Sequence, residues 1–584
     1  MFPHSGNVHS SLINMKSNFK SAYSCPHRLA NLAHSRRARF LAAASVLGMV
    51  LAMPAHAATV YWNGGNGTWE TLANWSTTAA PGGPAPSVVP LSASADTLIF
   101  NTTGTNADGI IYLNGTRGNT TNSANITINN TGTTTFLGGN STASANNTFA
   151  SNSITVSAGA GTVTFGTTGA LAGIRMGTGN AITNNSGNVL TIAGSLGSRG
   201  TSGTPDFTLG GSGNIDFTGQ IGVGGTNANV AITKSGNGLL TLAGNNLYNS
   251  TTTINAGTVR VSSSTGLGTS AGGTSVATAG GKLELSGGIT VAGELLTLNA
   301  RATSAVHLSN YSGNNTWTGN IATNTGGSFY NIESQTATFT ISGNLTNGNT
   351  GNRSWQLMGA GDGVVSGTIT NGNGTVFVNK PSGAGTWTLS GNNTYTGSTV
   401  VTAGTLVVSG SGSINSSSSV TVSTGATLTN NSAAALTPGL SLSEGSTLSG
   451  SGSFTPSALT VTADLAGGTF TMITVDSAVF TKSGALAFTL TNAVDTSFSL
   501  FGGATTPGGS FTSVSVGGTP LVDQTGGIFS AEVGGFNYSY NDNFNSLAIA
   551  AVPEPATWAM VGLGMTFVLY RRRFARTFRR RNEE

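Results

Sequence analysis

Along most of its length the chain alternates apolar and polar positions with a period of two, and Gly, Asn and Ser interrupt the alternation every few residues. The clearest runs are NITIN at Asn125, SITVS at Ser153, TVTFG at Thr162, TVRV at Thr258, KLEL at Lys282, ATFTIS at Ala337, TVFV at Thr375 and VTVST at Val420. Each sets aliphatic or β-branched residues on one face and Thr, Ser or Asn on the other, the pattern of a half-buried strand. Between the two ends nothing reads as a long amphipathic helix. The pattern predicts an all-β protein of many short strands joined by Gly, Asn and Ser turns, so internal repetition is the next question.

The strands do repeat. GLLTLAGNNLYNSTTTINAGTVRV from Gly238 aligns without gaps with GTWTLSGNNTYTGSTVVTAGTLVV from Gly385, with twelve identities in twenty-four positions. A partial third copy, GNNTWTGN from Gly313, matches GNNTYTGS from Gly391. In this unit alternating strands supply one apolar face, G-N-N makes a turn where Gly and Asn tolerate positive φ, Tyr248 or Tyr395 fills the space behind it, and A-G-T leads into the next strand. One such unit cannot bury its apolar face alone. Stacked coil on coil it can, each strand pairing with the strands above and below at ~4.8 Å, and Asn and Thr forming ladders. A parallel β-solenoid of roughly 20 to 25 residues per coil follows.

The pattern K-x-G-x-G-x-x-T-L-x-G-N-N-x-Y-x-G-x-T-x-x-x-x-G-T-L resembles the autotransporter-associated β-strand (passenger-associated transport) repeat of bacterial surface passengers. The resemblance implies a right-handed parallel β-helix, with clear copies at 234–261 and 380–408 and a partial one at 308–320. The first copy has Ser250 where the pattern has Gly, and the second carries an extra residue after Lys380. The solenoid is expected over 58–457 and a smaller β-rich terminal cap over 458–551. Near its start, YWNGGNGTWETLANWS resembles the opening of such proteins. Trp62, Trp69 and Trp75 are expected to seal the edge of the first coil, with a carbohydrate-binding platform as the alternative. A true autotransporter ends in a membrane β-barrel, which this sequence does not show, so a different exit route is expected.

The two ends differ from the body. From Met15, six Lys and Arg precede an uncharged apolar run, Phe40 to Met53, which closes on small residues at Ala55 and Ala57. That is the layout of a secretory signal peptide, 1–57, cut by signal peptidase between Ala57 and Ala58. At the other end, Pro553-Glu554-Pro555, an apolar run over 556–570 and arginines from Arg571, Arg572 and Arg573 onward resemble the PEP-CTERM sorting tail of Gram-negative bacteria, here 552–584. Fifteen helical residues reach only ~22 Å, short for a hydrocarbon core of ~30 Å, so the run makes a poor permanent anchor. The arginines act as a cytoplasmic stop by the positive-inside rule. By resemblance, a membrane exosortase reads Pro553, Glu554 and Pro555 and cuts near them. The body is then passed from transient inner-membrane anchorage to the cell surface, the exterior or the exopolysaccharide (biofilm) matrix. The alternative is a retained single-span anchor.

Charge and candidate chemistry then narrow the function. Six of the basic residues lie in the signal and seven in the tail, so the body from Ala58 to Ala551 keeps ten bases against sixteen acids, about −6, although the whole chain is +4. No basic stripe remains for nucleic acid. The one cysteine, Cys25, and every histidine except His307 lie in the signal, which excludes a disulfide framework, a Cys-His nucleophile and any Cys or multi-His zinc site from the body. His307 sits in an alternating run and is expected to be an ordinary strand histidine. GTSAG, Gly268 to Gly272, has the G-x-S-x-G spacing, but no strand-to-helix context follows and Ser270 reads as a turn residue. Asp362, Asp464 and Asp542 are expected as solvated turn residues, and no calcium loop of known spacing occurs. The expectation is therefore a secreted, non-enzymatic structural or adhesive β-helix with no cofactor, no metal and no catalytic residue. Its transient partners would be signal peptidase and exosortase, with extracellular polysaccharide as a further one. A polysaccharide-binding or polysaccharide-degrading β-helix is the rival, which a row of acids on three successive coils would favour.

Overall fold

The computed structural model describes residues 59–552, apart from 64–65, 70, 81–82, 88–96, 102–108, 114–123, 139–147, 167–172, 199–203, 223–228, 279, 476–479 and 503–506. The chain divides into a unit of residues 1–54, outside the described residues, and a unit of residues 55–584, to which everything below belongs. The expected signal peptide, the 556–570 helix and the sorting tail likewise fall outside the described residues.

The body is a parallel β-solenoid, and all eight runs singled out by their alternation lie in strands. Three sheets form its faces. The first climbs from Thr59–Trp62 to Ile369–Thr370, the second from Gly67–Thr68 to Ser513–Val516, and the third from Thr290–Val291 to Phe501–Gly502. Each strand pairs in parallel with its equivalent one coil later, as Thr258–Val261 does with Lys282–Ser286. The second sheet's pairings run as an open ladder, with no bond joining its first strand to its last. Coil-to-coil side-chain bonds link residues 24 or 25 apart in the middle of the rod, 20 apart at the G-N-N turns and 28 apart near its start.

The number of faces changes along the rod. Up to Val276 the coils have two strands, on the first and second sheets; from Thr290 a third strand is added; beyond Thr370 the first sheet gives way and the second and third carry the rod. The two full repeats therefore build the same local coil on different faces. Leu239–Leu242 and Thr258–Val261 lie on the second sheet with Thr252–Ile254 on the first, whereas Thr386–Leu389 and Thr405–Gly410 lie on the third with Thr399–Val401 on the second.

Inward positions stack in files of like residues. Leu240, Val259, Leu283, Leu308 and Ile332 succeed one another in register and are fully buried. Each contributes about 1.5–3 kcal/mol of apolar burial. Glycine has its own file at one corner. A Cβ added at Gly319, Gly343, Gly367 or Gly391 would lie 1.7–2.2 Å from the carbonyl oxygen of the residue one coil earlier. The G-N turns thus require glycine because successive coils approach backbone to backbone there.

Both ends of the rod are closed. Trp62, Trp69 and Trp75 are buried, pack edge to face at about 5 Å and surround Phe100, and Trp75 Nε1 donates to the Trp69 carbonyl at 2.9 Å. Strand Trp75–Ser76 runs antiparallel to Thr59–Trp62 and covers its free edge. The tryptophans are therefore a cap, and a binding platform is ruled out by their burial. At the far end Thr496–Ser499, Ser546–Ala551, Phe536–Asn541, Ile528–Val533 and Val522–Asp523 form an antiparallel sheet. The expected boundary at 457 and 458 falls inside the solenoid, since Ala458–Asp464 pairs in parallel with Ala485–Thr491, and that strand with Ser513–Val516. The cap takes one strand from Thr496–Ser499, while parallel rungs continue to Phe501–Gly502 and Ser513–Val516.

Candidate functional site

The body meets both expected processing points at its margins. Its first strand starts at Thr59, next to Ala57 and Ala58, and its last ends at Ala551, two residues before Pro553. The Val552 N–H donates to the Gly535 carbonyl at 2.8 Å, and Ala550 and Ala551 are exposed, so the chain leaves the cap on its surface directly before the sorting motif. Ala57, Ala58, Pro553, Glu554, Pro555, Arg571, Arg572 and Arg573 themselves lie outside the described residues. No helix among the described residues is long and apolar enough to cross a membrane.

The repeat signature residues tie coils together. In each copy the second Asn of G-N-N is buried and bridges two neighbours. Asn246 Oδ1 accepts the Ile221 N–H at 2.8 Å while its Nδ2 donates to the Gly266 carbonyl at 2.6 Å. Asn393 does the same between Ile369 N and Ser413 O, at 2.9 and 3.1 Å. In the partial copy Asn315 accepts the Ile289 N–H at 2.8 Å. The repeat tyrosines bond a threonine four residues on, Tyr248 to Thr252 at 2.7 Å and Tyr395 to Thr399 at 2.6 Å, all within the core.

The lysine that opens each repeat is buried without a carboxylate. Lys234 Nζ donates to the carbonyls of Ser235, Gly236 and Ala256 at 2.8, 2.7 and 3.2 Å, and Lys380 Nζ to Gly383 at 2.7 Å. Loss of hydration lowers both ammonium groups to about 8. Gly257 and Gly404 lie over these ammonium groups, where a Cβ would come within 2.8 and 2.5 Å of Nζ. Sequence reading placed the lysines in the repeat pattern but gave no sign that they are buried.

The candidate chemical groups are individually engaged. His307 is buried; its Nδ1 accepts the Asn331 N–H at 3.0 Å, which leaves the proton on Nε2 to donate to the Asn299 carbonyl at 2.9 Å. Burial, then the neighbouring Arg301 charge, hold it down to about 3, so it is neutral. Ser270 is exposed in a turn that leads to strand Thr274–Val276. Arg301 is buried and directs its two terminal nitrogens at the carbonyls of Ala305, Val306, Ala277 and Gly281. Asp362 is exposed and accepts the Thr386 N–H at 2.8 Å; Asp464 is exposed and its bond from Asn492, then one from Ala466 N–H, hold its carboxyl below the usual range. Asp542 departs from expectation. It is buried and pairs with Lys482 at 3.1 Å, because its turn is pressed against the last solenoid rungs.

On the outer face of the second sheet the file runs Arg260, Glu284, Ser309, Glu333. Glu284 is held by Arg260 at 2.7 Å and Lys282 at 2.5 Å, Arg260 also covers the Tyr311 ring, and Glu333 accepts from Ser309 and Gln335. This file does not place acids on three successive coils. Among the described residues no three His, Cys, Asp or Glu approach closely enough to hold a metal ion.

Residues 232–261 and 382–408 match the passenger-associated-transport-repeat family model, and residues 551–573 match the PEP-CTERM protein-sorting motif. The partial copy at 308–320 is outside the repeat matches, although Asn315 makes the same inter-coil bond. No curated protein and no solved structure matches the chain. The chain is thus a parallel β-solenoid that carries passenger-associated transport repeats and a PEP-CTERM motif, the mark of export to the surface or exterior of the cell.

Proposed function

We propose that the protein is a non-enzymatic structural or adhesive rod of the cell surface or exopolysaccharide matrix, exported after cleavage between Ala57 and Ala58 and released or transferred when an exosortase cuts near Pro553-Glu554-Pro555. The observation that carries this reading is the abutment of the last strand, Ser546–Ala551, on the sorting motif. A protease reaching Pro553 would find it next to an exposed chain end and would leave the solenoid intact. The engagement of His307, Asp542 and Glu284 in structural bonds supports a scaffold role, since His307 and Glu284 join neighbouring coils and Asp542 joins the cap to the rod. A rod whose backbone bonds run along its axis gives length and stability from repeated local units, which suits a matrix component.

The test is the intact mass of the protein recovered from the surface or medium of its host. A species from Ala58 to near Val552, without the arginine tail, is the expected result. Recovery only in membranes, ending at Glu584, would replace the sorting reading with a permanent anchor.

A further inference from the structure

Where the solenoid is three-sided, its second face carries a groove of about 290 Å³ whose lining includes Phe329, Asn352, Arg353, Phe377, Asn379 and Val400. Phe329 and Phe377 lie in one file with Ser354 between them, two rungs apart, or ~9.5 Å. Phe329 is 37% exposed, and Phe377 and Val400 are half-buried, so the groove has an apolar floor open to solvent. Gly397 makes room for the Phe377 ring, since a Cβ there would stand 2.8 Å from it.

Arg353 forms the polar wall. Its Nη1 donates to the Asn352 carbonyl at 2.9 Å, the Tyr330 hydroxyl lies within reach of the guanidinium, and no carboxylate pairs with it among the described residues. That sets it apart from Arg260, Lys282 and Lys482, which are neutralised by acids, and from Lys234, Lys380 and Arg301, which are buried under carbonyls. Asn379 and exposed Asn352 add amides beside it.

We infer that this groove binds a segment of a carboxylate-bearing polysaccharide lying along the rod. Aromatic faces two rungs apart suit alternate sugar rings of an extended chain, amides suit hydroxyls, and a guanidinium without a carboxylate partner suits a uronate carboxylate. A peptide strand fits less well. The strands Phe329–Ser334, Arg353–Met358 and Val376–Lys380 are each hydrogen-bonded on both sides, which leaves no backbone edge to extend. The inference deepens the matrix reading above, from which it takes its setting.

The experiment is titration of the full chain with a short oligo-uronate and with a neutral oligosaccharide of equal length, for the wild type, Phe377→Ala and Arg353→Gln, with thermal melts to verify folding. Binding of the uronate alone is expected, weakened about tenfold by either substitution. Binding through the arginine tail would survive Phe377→Ala unchanged, and that result overturns the inference. So does equal affinity for the neutral sugar, or no binding by the folded wild type. None of these depends on where the host places the protein, so a failed titration leaves the export reading standing, and a retained tail in the mass experiment leaves the groove standing.

Discussion

Lys482 and Asp542 stand sixty residues apart in the chain, yet their side chains pair at 3.1 Å with both groups buried. Lys482 belongs to the short strand Thr481–Lys482 beside the last solenoid rungs, and Asp542 to the turn after Phe536–Asn541, so the pair fastens the antiparallel cap to the rod. Lys482 Nζ also donates to the Asp542 carbonyl at 2.5 Å, and Tyr540 to the carboxylate at 3.3 Å. Removing one charge leaves the other buried and unpaired.

Asp542→Ala should destabilise the cap by about 3–5 kcal/mol, whereas replacing both partners by apolar residues of similar volume should cost far less. Urea unfolding followed by hydrogen exchange in segments 496–551 measures both. An Asp542→Ala variant whose cap exchanges at the wild-type rate would show that the pair contributes nothing.

The repeat lysines carry a pH signature. Lys234 and Lys380 sit at about 8 in the folded chain, lowered by burial from 10.5, so between those values the unfolded chain binds the extra protons. Stability should therefore rise as pH increases from about 8 towards 10, and the rise should vanish when both lysines are changed to Met. Urea midpoints at pH 7.5 and 9.5 decide it: parallel shifts in wild type and double variant would mean that the ammonium groups stay charged in their carbonyl cages.

Much of this architecture was legible in the sequence. Period-two alternation in segments such as TVRV and KLEL locates the strands, and the spacing of G-N-N, Tyr and A-G-T locates the turns; the A-G-T glycines Gly257 and Gly404 do take a positive φ, whereas Gly244 and Gly391 of G-N-N do not and are glycine because the coil before leaves no room for a Cβ. Asn246, Asn393 and Asn315 share one position in the pattern, which marks a turn, but their bonds to the backbone of neighbouring coils come only from the stacking. What local pattern could not convey is which coil a side chain reaches. Asp542 reads as a turn residue, and only the packing of the cap buries it. The end of the solenoid was misplaced because the parallel strand Ala458–Asp464 and the antiparallel strand Phe536–Asn541 have the same alternation. Pairing direction leaves no mark on a single strand. The groove at Phe329 and Phe377 was equally hidden, since two rings forty-eight residues apart meet only through coil register.

Glu294 and His307 give opposite acid responses. Glu294 is buried, accepts from Thr274 at 2.8 Å and is raised by burial to about 7, so it keeps a proton that the unfolded chain loses near 4.5. Its contribution is complete below that lower value and is lost as pH climbs through 7. His307, held at about 3, remains neutral where the unfolded histidine protonates, and its contribution fades as pH falls below 6.5. In wild type the two slopes oppose each other between pH 4.5 and 6.5. Glu294→Gln should expose the histidine slope alone, so that stability drops more steeply on acidification than in wild type. Thermal melts across that window read the difference, and superimposable curves would refute the assignment to Glu294.

The glycine file yields the sharpest steric contrast. A Cβ at Gly343 would lie 1.7 Å from the Gly319 carbonyl oxygen and 2.3 Å from its carbon, and the obstacle is backbone that cannot rotate away. Two coils would have to separate at that corner, which strains the G-N turns on either side and the stacked Ile321, Leu345 and Ile369 behind them. Gly343→Ala should therefore cost at least about 2–3 kcal/mol, in the range of overpacked cores. Gly187 is the control, because an added Cβ there meets nothing within 4 Å, and Gly187→Ala should stay within about 0.5 kcal/mol of wild type. Equal urea midpoints for the two variants would mean that the coils slide apart without penalty at Gly343, and close backbone approach would then no longer explain why glycine fills that corner from coil to coil.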